Sequence, residues 1–284
     1  VRNLNSILIN KNIEYIPVGD IAFKKNWKDI LVDVNCIIHC AGRAHIIKET
    51  TKIPIELYRL INVEATRELA KQAAEVGVKK FIFLSSIKVL GENTNARKPF
   101  TIFDKPNPIQ DYAISKYEAE QTLLELSFKT GLEVTIIRPP LVYGSQSKGN
   151  LSRLIKLINS GIPIPFGAIK NHRSMIGIDN LADLIIRCAE HPDASGKTFL
   201  VSDGQDLSTP DLIKLIAMEM GRSVRLFPVP IPWLKFFSFF IGRQSDIGRL
   251  TGSLQVDTEY TKKILDWTPP TSVEEGIRRM VQGK

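Results

Sequence analysis

With 284 residues, 43% of them hydrophobic and 24% charged, the chain has the make-up of a globular protein, enough for one large domain or a large one with a smaller lobe. Its formal charge of +8 is dispersed, with no like-charge run and no basic stripe interleaved with aromatics, so no nucleic-acid partner is expected. Three cysteines, Cys36, Cys40 and Cys188, form an odd and sparse set that predicts a reducing, cytoplasmic setting, and "VRNLNSILIN" does not read as a secretory leader.

In chain order, "IEYIPV" (13–18) predicts a strand, residues 27–31 a short helix, and "VNCIIHCAG" a buried strand ending at a turn. Alternation along that strand puts Cys36 and Cys40 on one face and His39 on the other, a poor geometry for one ion, so no metal is expected. Residues 54–76 predict a long amphipathic helix closed by Gly77, "KKFIFLSS" an apolar strand, and residues 112–130 a helix ending at Gly131. "LEVTIIRPP" then predicts a strand stopped by paired prolines. This alternation argues an α/β protein with a parallel sheet covered by helices on both faces.

Beyond about Gly144 the pattern changes, and prolines at 163, 165, 210, 228, 230, 232, 269 and 270 punctuate short helices and isolated strands such as "KTFLVSD". The segment "GIDNLADLIIRCAEH" (177–191) is expected to return as a helix onto the first domain. The expected division is therefore 1–143 plus 177–191 for the main domain, and 144–176 plus 192–284 for a smaller, substrate-binding lobe. "WLKFFSFFIG" (233–242) is the most apolar window and is too short to span a bilayer. It reads first as a packed helix after Pro230 and Pro232, and second as an interfacial membrane helix with one nearly all-aromatic face.

The chemistry concentrates in "QDYAISKYEAE". Tyr112 and Lys116, four residues apart, share one helix face, where an ammonium beside a phenol favours the phenolate and draws its pKa down. Such a tyrosine can exchange a proton at a hydroxyl or carbonyl carbon while a hydride moves. The alternative is an ordinary solvent-facing pair. "FIFLSSIKVLGE" supplies the second piece: an apolar strand ends in Ser85-Ser86 at the carboxyl edge of a parallel sheet, where ligands bind in such folds. A serine there can hydrogen-bond the reacting oxygen, or merely satisfy backbone groups at the strand end.

Together these residues resemble the extended short-chain dehydrogenase/reductases that act on nucleotide sugars, the NAD-dependent epimerase/dehydratase family. "CIIHCAG", "NVEAT", "FLSSIKVLGE", "DYAISK", "IIRPPLVYG" and "NHRSMIGIDNLAD" are each similar to one of its motifs, and "SSIKV", "FLVSDGQDLSTPDL" and "GSLQVD" resemble its branch of UDP-N-acetylquinovosamine dehydrogenase-like 4-ketoreductases. The resemblance implies a Rossmann-type doubly wound parallel sheet with a smaller C-terminal substrate lobe. It makes Ser86, Tyr112 and Lys116 the catalytic set, with Tyr112 and Lys116 also reaching an NAD(P) cofactor. Asp20, Ile21, Ala41, Gly42, Asn62, Ser85 and Pro139 would line that cofactor; Asn150, Arg173 and Arg249 would hold the diphosphate and neighbouring groups of a UDP-sugar, unless the arginines are surface salt-bridge partners. His45 is a candidate substrate contact or a solvated loop residue. A homodimer through the 54–76 and 112–130 helices is implied as well.

One family feature is missing from the sequence. No Gly-x-x-Gly-x-x-Gly occurs, although that loop and the following helix N-terminus would carry the cofactor pyrophosphate. The chain is therefore expected to be a piece of a longer enzyme, short of one strand–helix–strand unit of roughly 30 to 40 residues. The choice between NAD and NADP stays open, with Arg2 a weak pointer to NADP. The expected reaction is NAD(P)H-dependent reduction of the C4 ketone of a UDP-4-keto-6-deoxy-N-acetylhexosamine for surface polysaccharide precursors. The alternatives are a UDP-hexose or UDP-N-acetylhexosamine 4-epimerase and, from another class, a non-catalytic NAD(P)-binding scaffold or inactive fragment.

Overall fold

A computed structural model describes residues 12–23, 26–44, 53–145, 150–240, 242 and 244–283. Among the described residues six strands are formed: β1 (Cys36–His39), β2 (Lys80–Leu84), β3 (Glu133–Arg138), β4 (Leu141–Tyr143), β5 (Met175–Gly177) and β6 (Thr198–Leu200). Four make one parallel sheet in the order β1-β2-β3-β6, and β4 and β5 make a separate parallel pair. The run "KFIFL" of β2 is apolar at successive positions because both faces of the sheet are covered. Phe81 and Phe83 point into one core, and Ile82 points into another across the sheet.

The first core is capped by one long helical stretch, α1 (Pro54–Arg59), a five-residue π segment (Leu60–Glu64) and α2 (Ala65–Glu75), together with α3 (Asp111–Thr130). Pro54 opens the stretch where its missing N–H costs nothing. Gly77, at φ +84°, closes it: the Val78 N–H reaches Ala73 O at 3.0 Å and the Gly77 N–H reaches Ala74 O at 3.2 Å. Gly131 at φ +78° ends α3 in the same left-handed conformation. The π turn is not visible in the periodicity of the sequence. Across the sheet lie α5 (Ile178–Glu190), which returns onto the sheet's second face, and Leu265 and Trp267 from the C-terminal part of the chain.

A separate core unites Tyr143 and Met175 with α4 (Asn150–Asn159), α6 (Thr209–Glu219) and α10 (Val273–Gln282). Its seam with the sheet domain is tied by Asp203. That buried carboxylate accepts from Tyr143 Oη at 2.6 Å, Asn180 Nδ2 at 2.7 Å and the Gly177 N–H. Gly276 on α10 lies against the same tyrosine, where a Cβ would sit 2.6 Å from its hydroxyl.

Five sequence expectations are corrected. Residues 13–18 are not assigned to a strand, because among the described residues no ladder of the sheet engages them. Residues 27–31 form a single hydrogen-bonded turn rather than a helix, pinned where the Trp27 N–H donates to Gln72 Oε1 at 2.6 Å. β1 is buried on one face only: His39 is inside while Ile38 is 48% exposed, since the helices of the first core cover the His39 side alone. Residues 198–200, placed by expectation in the smaller lobe, are the fourth strand of the main sheet, paired to β3. Finally, α7 (Ile231–Phe240) is a helix as expected but not a packed one, for only Leu234 and Ser238 are buried.

The burial of His39 has a measurable consequence. Its ring stacks on Phe83, tilts against Phe81 and bonds Thr66 Oγ1 at 2.9 Å, and burial followed by the nearby Lys116 charge pushes its pKa down to about 3. The unfolded chain takes up that proton near pH 6.5 while the folded chain does not, so the unfolded state binds more protons throughout the window between. Stability is full above pH 6.5 and falls as the pH drops, by about 2 kcal/mol at pH 5. Urea melts at pH 7.5 and pH 5 should show that loss, and His39→Gln should remove most of it; an equal loss in the variant would contradict the assignment.

Candidate active site

Three parallel strands deliver their carboxyl ends to one edge. β1 runs into Ala41-Gly42 and β2 into Ser85-Ser86, while Pro139 follows β3. The ladder continues past the strands, with the Ser85 N–H on Ile137 O at 2.7 Å and the Ile87 N–H on Pro139 O at 3.0 Å. Ser86 therefore has a fixed backbone, and its hydroxyl accepts from the Lys88 N–H at 3.3 Å to start a short turn (Ile87–Val89).

α3 lays Tyr112 and Lys116 against that edge. The Tyr112 phenol hydrogen-bonds Ser86, and its ring meets Tyr58 edge-on at 6.4 Å. Lys116 is buried, donates from Nζ to Leu84 O at 2.8 Å and lies 4.4 Å over the Phe83 ring. Ser86, Tyr112 and Lys116 are thus brought together. The electrostatics differ from expectation. Burial raises the Tyr112 pKa above the usual phenol range, against the pull of the Ser86 hydrogen bond, and Tyr58 adds to the rise. The anticipated lowering by Lys116 is not found, because that ammonium is turned to the Leu84 carbonyl. Lys116 itself is drawn down to about 8, first by burial, with Cys40 and Glu120 acting in the opposite sense.

The π segment carries Asn62, whose amide is spent on positioning. Its Oδ1 accepts the Arg43 N–H at 2.7 Å, and its Nδ2 donates to Arg43 O at 3.1 Å and to Ser115 Oγ at 2.9 Å. This clamps the stretch after β1 to α3, and π turns commonly mark such sites. Gly42 fits under the clamp, where a Cβ would come 3.0 Å from Asn62 Oδ1 and 3.4 Å from Lys116 Nζ.

Ser85, the neighbour of Ser86, has different company. Its hydroxyl donates to Glu120, which Arg138 grips with Nε at 2.9 Å and Nη2 at 2.6 Å; both charged side chains are buried. This pair was missed in the sequence, where its signals are a glutamate one turn after Lys116 and an arginine ending the apolar run "TIIR". Asp20 and Ile21 lie in a turn, with the Ala22 N–H on Asp20 Oδ1 at 3.0 Å.

In the second lobe, Arg173 and Arg249 are brought side by side. Arg173 Nη1 donates to Arg249 O at 2.7 Å and to Gly252 O at 3.0 Å, and burial and then the Arg249 charge lower its pKa. Neither arginine enters an ion pair among the described residues. Two adjacent guanidinium groups without a carboxylate suit an anion. Asn150 opens α4, but its side chain, like His45 and Arg2, lies outside the described residues.

The edge fits one end of a nicotinamide dinucleotide. Lys116 carries three donor N–H groups and gives one to Leu84 O, Ala41 and Gly42 are exposed beside it, and Gly42 leaves the floor free of a side chain. These residues suit a hydroxylated ribose and a flat ring.

Comparison with known proteins agrees. Residues 7–202 match the family described as NAD dependent epimerase/dehydratase. A UDP-glucose 4-epimerase of Vibrio cholerae is 44% identical over 266 residues, 93% of this chain and 81% of that protein. N-acetyl-alpha-D-glucosaminyl-diphospho-ditrans,octacis-undecaprenol 4-epimerase of Escherichia coli O157:H7 is 30% identical over 82% of this chain and 69% of its own length. Among solved structures, UDP-glucose 4-epimerase from Thermotoga maritima with UDP-glucose superposes with a TM-score of 0.76 at 21% identity, covering 99% of this chain and 88% of that one. With its Rossmann-like parallel sheet and a Ser86/Tyr112/Lys116 edge suited to NAD(P), the chain belongs to the NAD-dependent epimerase/dehydratase family.

Proposed function

We propose that the protein is a 4-epimerase of a UDP-hexose or UDP-N-acetylhexosamine. The observation that carries this reading is the convergence of Ser86, Tyr112 and Lys116 at the sheet edge in a chain 44% identical to a UDP-glucose 4-epimerase. That relative favours epimerisation over the 4-ketoreductase expected from the sequence. Both relatives act, by their names, at C4 of a sugar carried on a diphosphate, and Arg173 and Arg249 are the residues we assign to that group.

In this reading the cofactor, when bound, supplies reversible hydride exchange at C4. Tyr112 takes the proton from the C4 hydroxyl and later returns it; Ser86 hydrogen-bonds the same oxygen and keeps it within reach of the phenol. Lys116 holds the sheet edge through Leu84 O and offers its remaining donors to the ribose. The arginines would grip the diphosphate and leave the sugar free to present either face of C4, and because the hydride taken up by the cofactor would be given back there would be no net oxidation. The family analogy also supports a homodimer through the α1–α2 and α3 helices, where Leu60, Leu124 and Phe128 are exposed.

Incubation with UDP-glucose or UDP-galactose, and with the N-acetyl pair, under NAD and without reductant should yield the same sugar mixture from either starting side. NADH or NADPH consumption with a 4-keto sugar nucleotide, and no interconversion, would restore the reductase. Inertness in both assays would favour the non-catalytic reading.

A further inference from the structure

The helix α7 has two faces of opposite fate. Leu234 and Ser238 are buried against the lobe. Trp233, Phe236, Phe237, Phe239 and Phe240 are each between 54% and 70% exposed. Positions 233, 236, 237 and 240 fall on one stripe at helical spacing, and their rings touch: Phe236 meets Phe240 at 5.0 Å and Phe237 at 5.7 Å, and Trp233 stacks on Phe237 at 6.1 Å. Five large aromatics half or more in water amount to roughly 600 Å² of contiguous apolar surface, at the size that marks an interaction site rather than scatter.

We propose that this face of α7 docks the protein onto an anionic lipid surface. Charge selects the occupant. From Gly221 to Ser245 the sequence holds Arg222, Arg225, Lys235 and Arg243 and no acidic residue, so the aromatic stripe lies in a segment of charge +4. Arg222, Arg225 and Lys235 are exposed. Rings that enter the headgroup boundary with cations beside them are the pattern of an interfacial helix, and each cation near an anionic surface strengthens the attraction. A second copy of the chain is the weaker occupant. A two-fold contact would bring two copies of this +4 segment together, and the patch falls short of the roughly 800 Å² per partner of a standard interface. The helix does not insert across the bilayer: among the described residues no helix is long and apolar enough to span one. It lies in the interface, with Leu234 and Ser238 holding it to the lobe.

The test is co-sedimentation of the whole chain with phosphatidylcholine vesicles, with and without phosphatidylglycerol. The protein should pellet with the anionic vesicles at least about tenfold more tightly than with the neutral ones. The triple variant Phe236→Ser/Phe237→Ser/Phe240→Ser should stay in the supernatant, whereas Phe103→Ser, which removes an exposed ring elsewhere, should pellet as before. Should the triple variant lose its cooperative melt, Lys235→Glu removes no ring and should weaken anionic binding severalfold. The proposal is overturned if the unaltered protein ignores both vesicles, or if the triple variant and Lys235→Glu bind as it does. It is equally overturned if sedimentation velocity shows these rings holding two copies together without vesicle binding.

Discussion

Tyr112→Phe is expected to lower epimerase turnover by about a thousandfold while leaving the sugar nucleotide KM within a few-fold of its starting value. The substitution keeps the ring that meets Tyr58 and removes one oxygen, the one bonded to Ser86. Neither buried charge nor packing changes, so the melting temperature should hold and cofactor affinity should be nearly unaltered. What is lost is the hydroxyl that, in the proposed reading, carries the C4 proton beside Ser86. Ser86→Ala should be milder, about a hundredfold, because the phenol remains and loses only its orienting partner. The raised phenol pKa adds a direction. In the free protein Tyr112 is protonated at neutral pH, so oxidation of the C4 hydroxyl, which needs the phenolate, should accelerate as the pH rises towards the phenol range, and Tyr112→Phe should flatten that rise. Turnover of Tyr112→Phe within tenfold of the unaltered protein would remove Tyr112 from the chemistry and leave Ser86 and Lys116 as strand-edge residues.

The cluster of Ser86, Tyr112 and Lys116 was legible because each member obeys a local rule: Tyr112 and Lys116 share a helix face at i and i+4, and Ser86 ends an apolar strand. The helix stops at Gly77 and Gly131 were legible for the same reason, as left-handed glycines after a periodic run. What failed was whatever depends on a distant partner. Residues 198–200 look like an isolated strand of the lobe until β3 is seen beside them. For Asn62 the sequence offers a cofactor contact and does not reveal the Arg43 backbone and Ser115 that its amide binds. The Lys116 effect on Tyr112 was argued from spacing alone, and spacing does not reveal that the ammonium turns to Leu84 O. α7 was read as core because aromatic stripes usually are, yet no segment of the described residues covers it.

The buried pair Glu120–Arg138 leads to the second large effect. Both groups have left water, and the carboxylate is matched by two guanidinium bonds and the Ser85 hydroxyl. Removing one partner strands a charge in a low-dielectric site, so Arg138→Met should cost about 3–5 kcal/mol in urea unfolding. The double replacement Glu120→Leu/Arg138→Met leaves no stranded charge and should recover most of that loss. The pair also joins three elements that carry the site: Glu120 comes from α3 one turn after Lys116, Arg138 precedes Pro139, and Ser85 precedes Ser86. Stability regained in the double variant therefore need not bring back turnover, since α3 would lose its bonds to Ser85 and to Arg138 of β3 and keep the one from Lys116 to Leu84 O. A double variant that is stable but slower than the unaltered protein by about tenfold, with KM little changed, would assign the pair a positioning role. Full activity in that variant would reduce it to a folding element, and a loss under 1 kcal/mol in Arg138→Met would mean that the charge finds water after all.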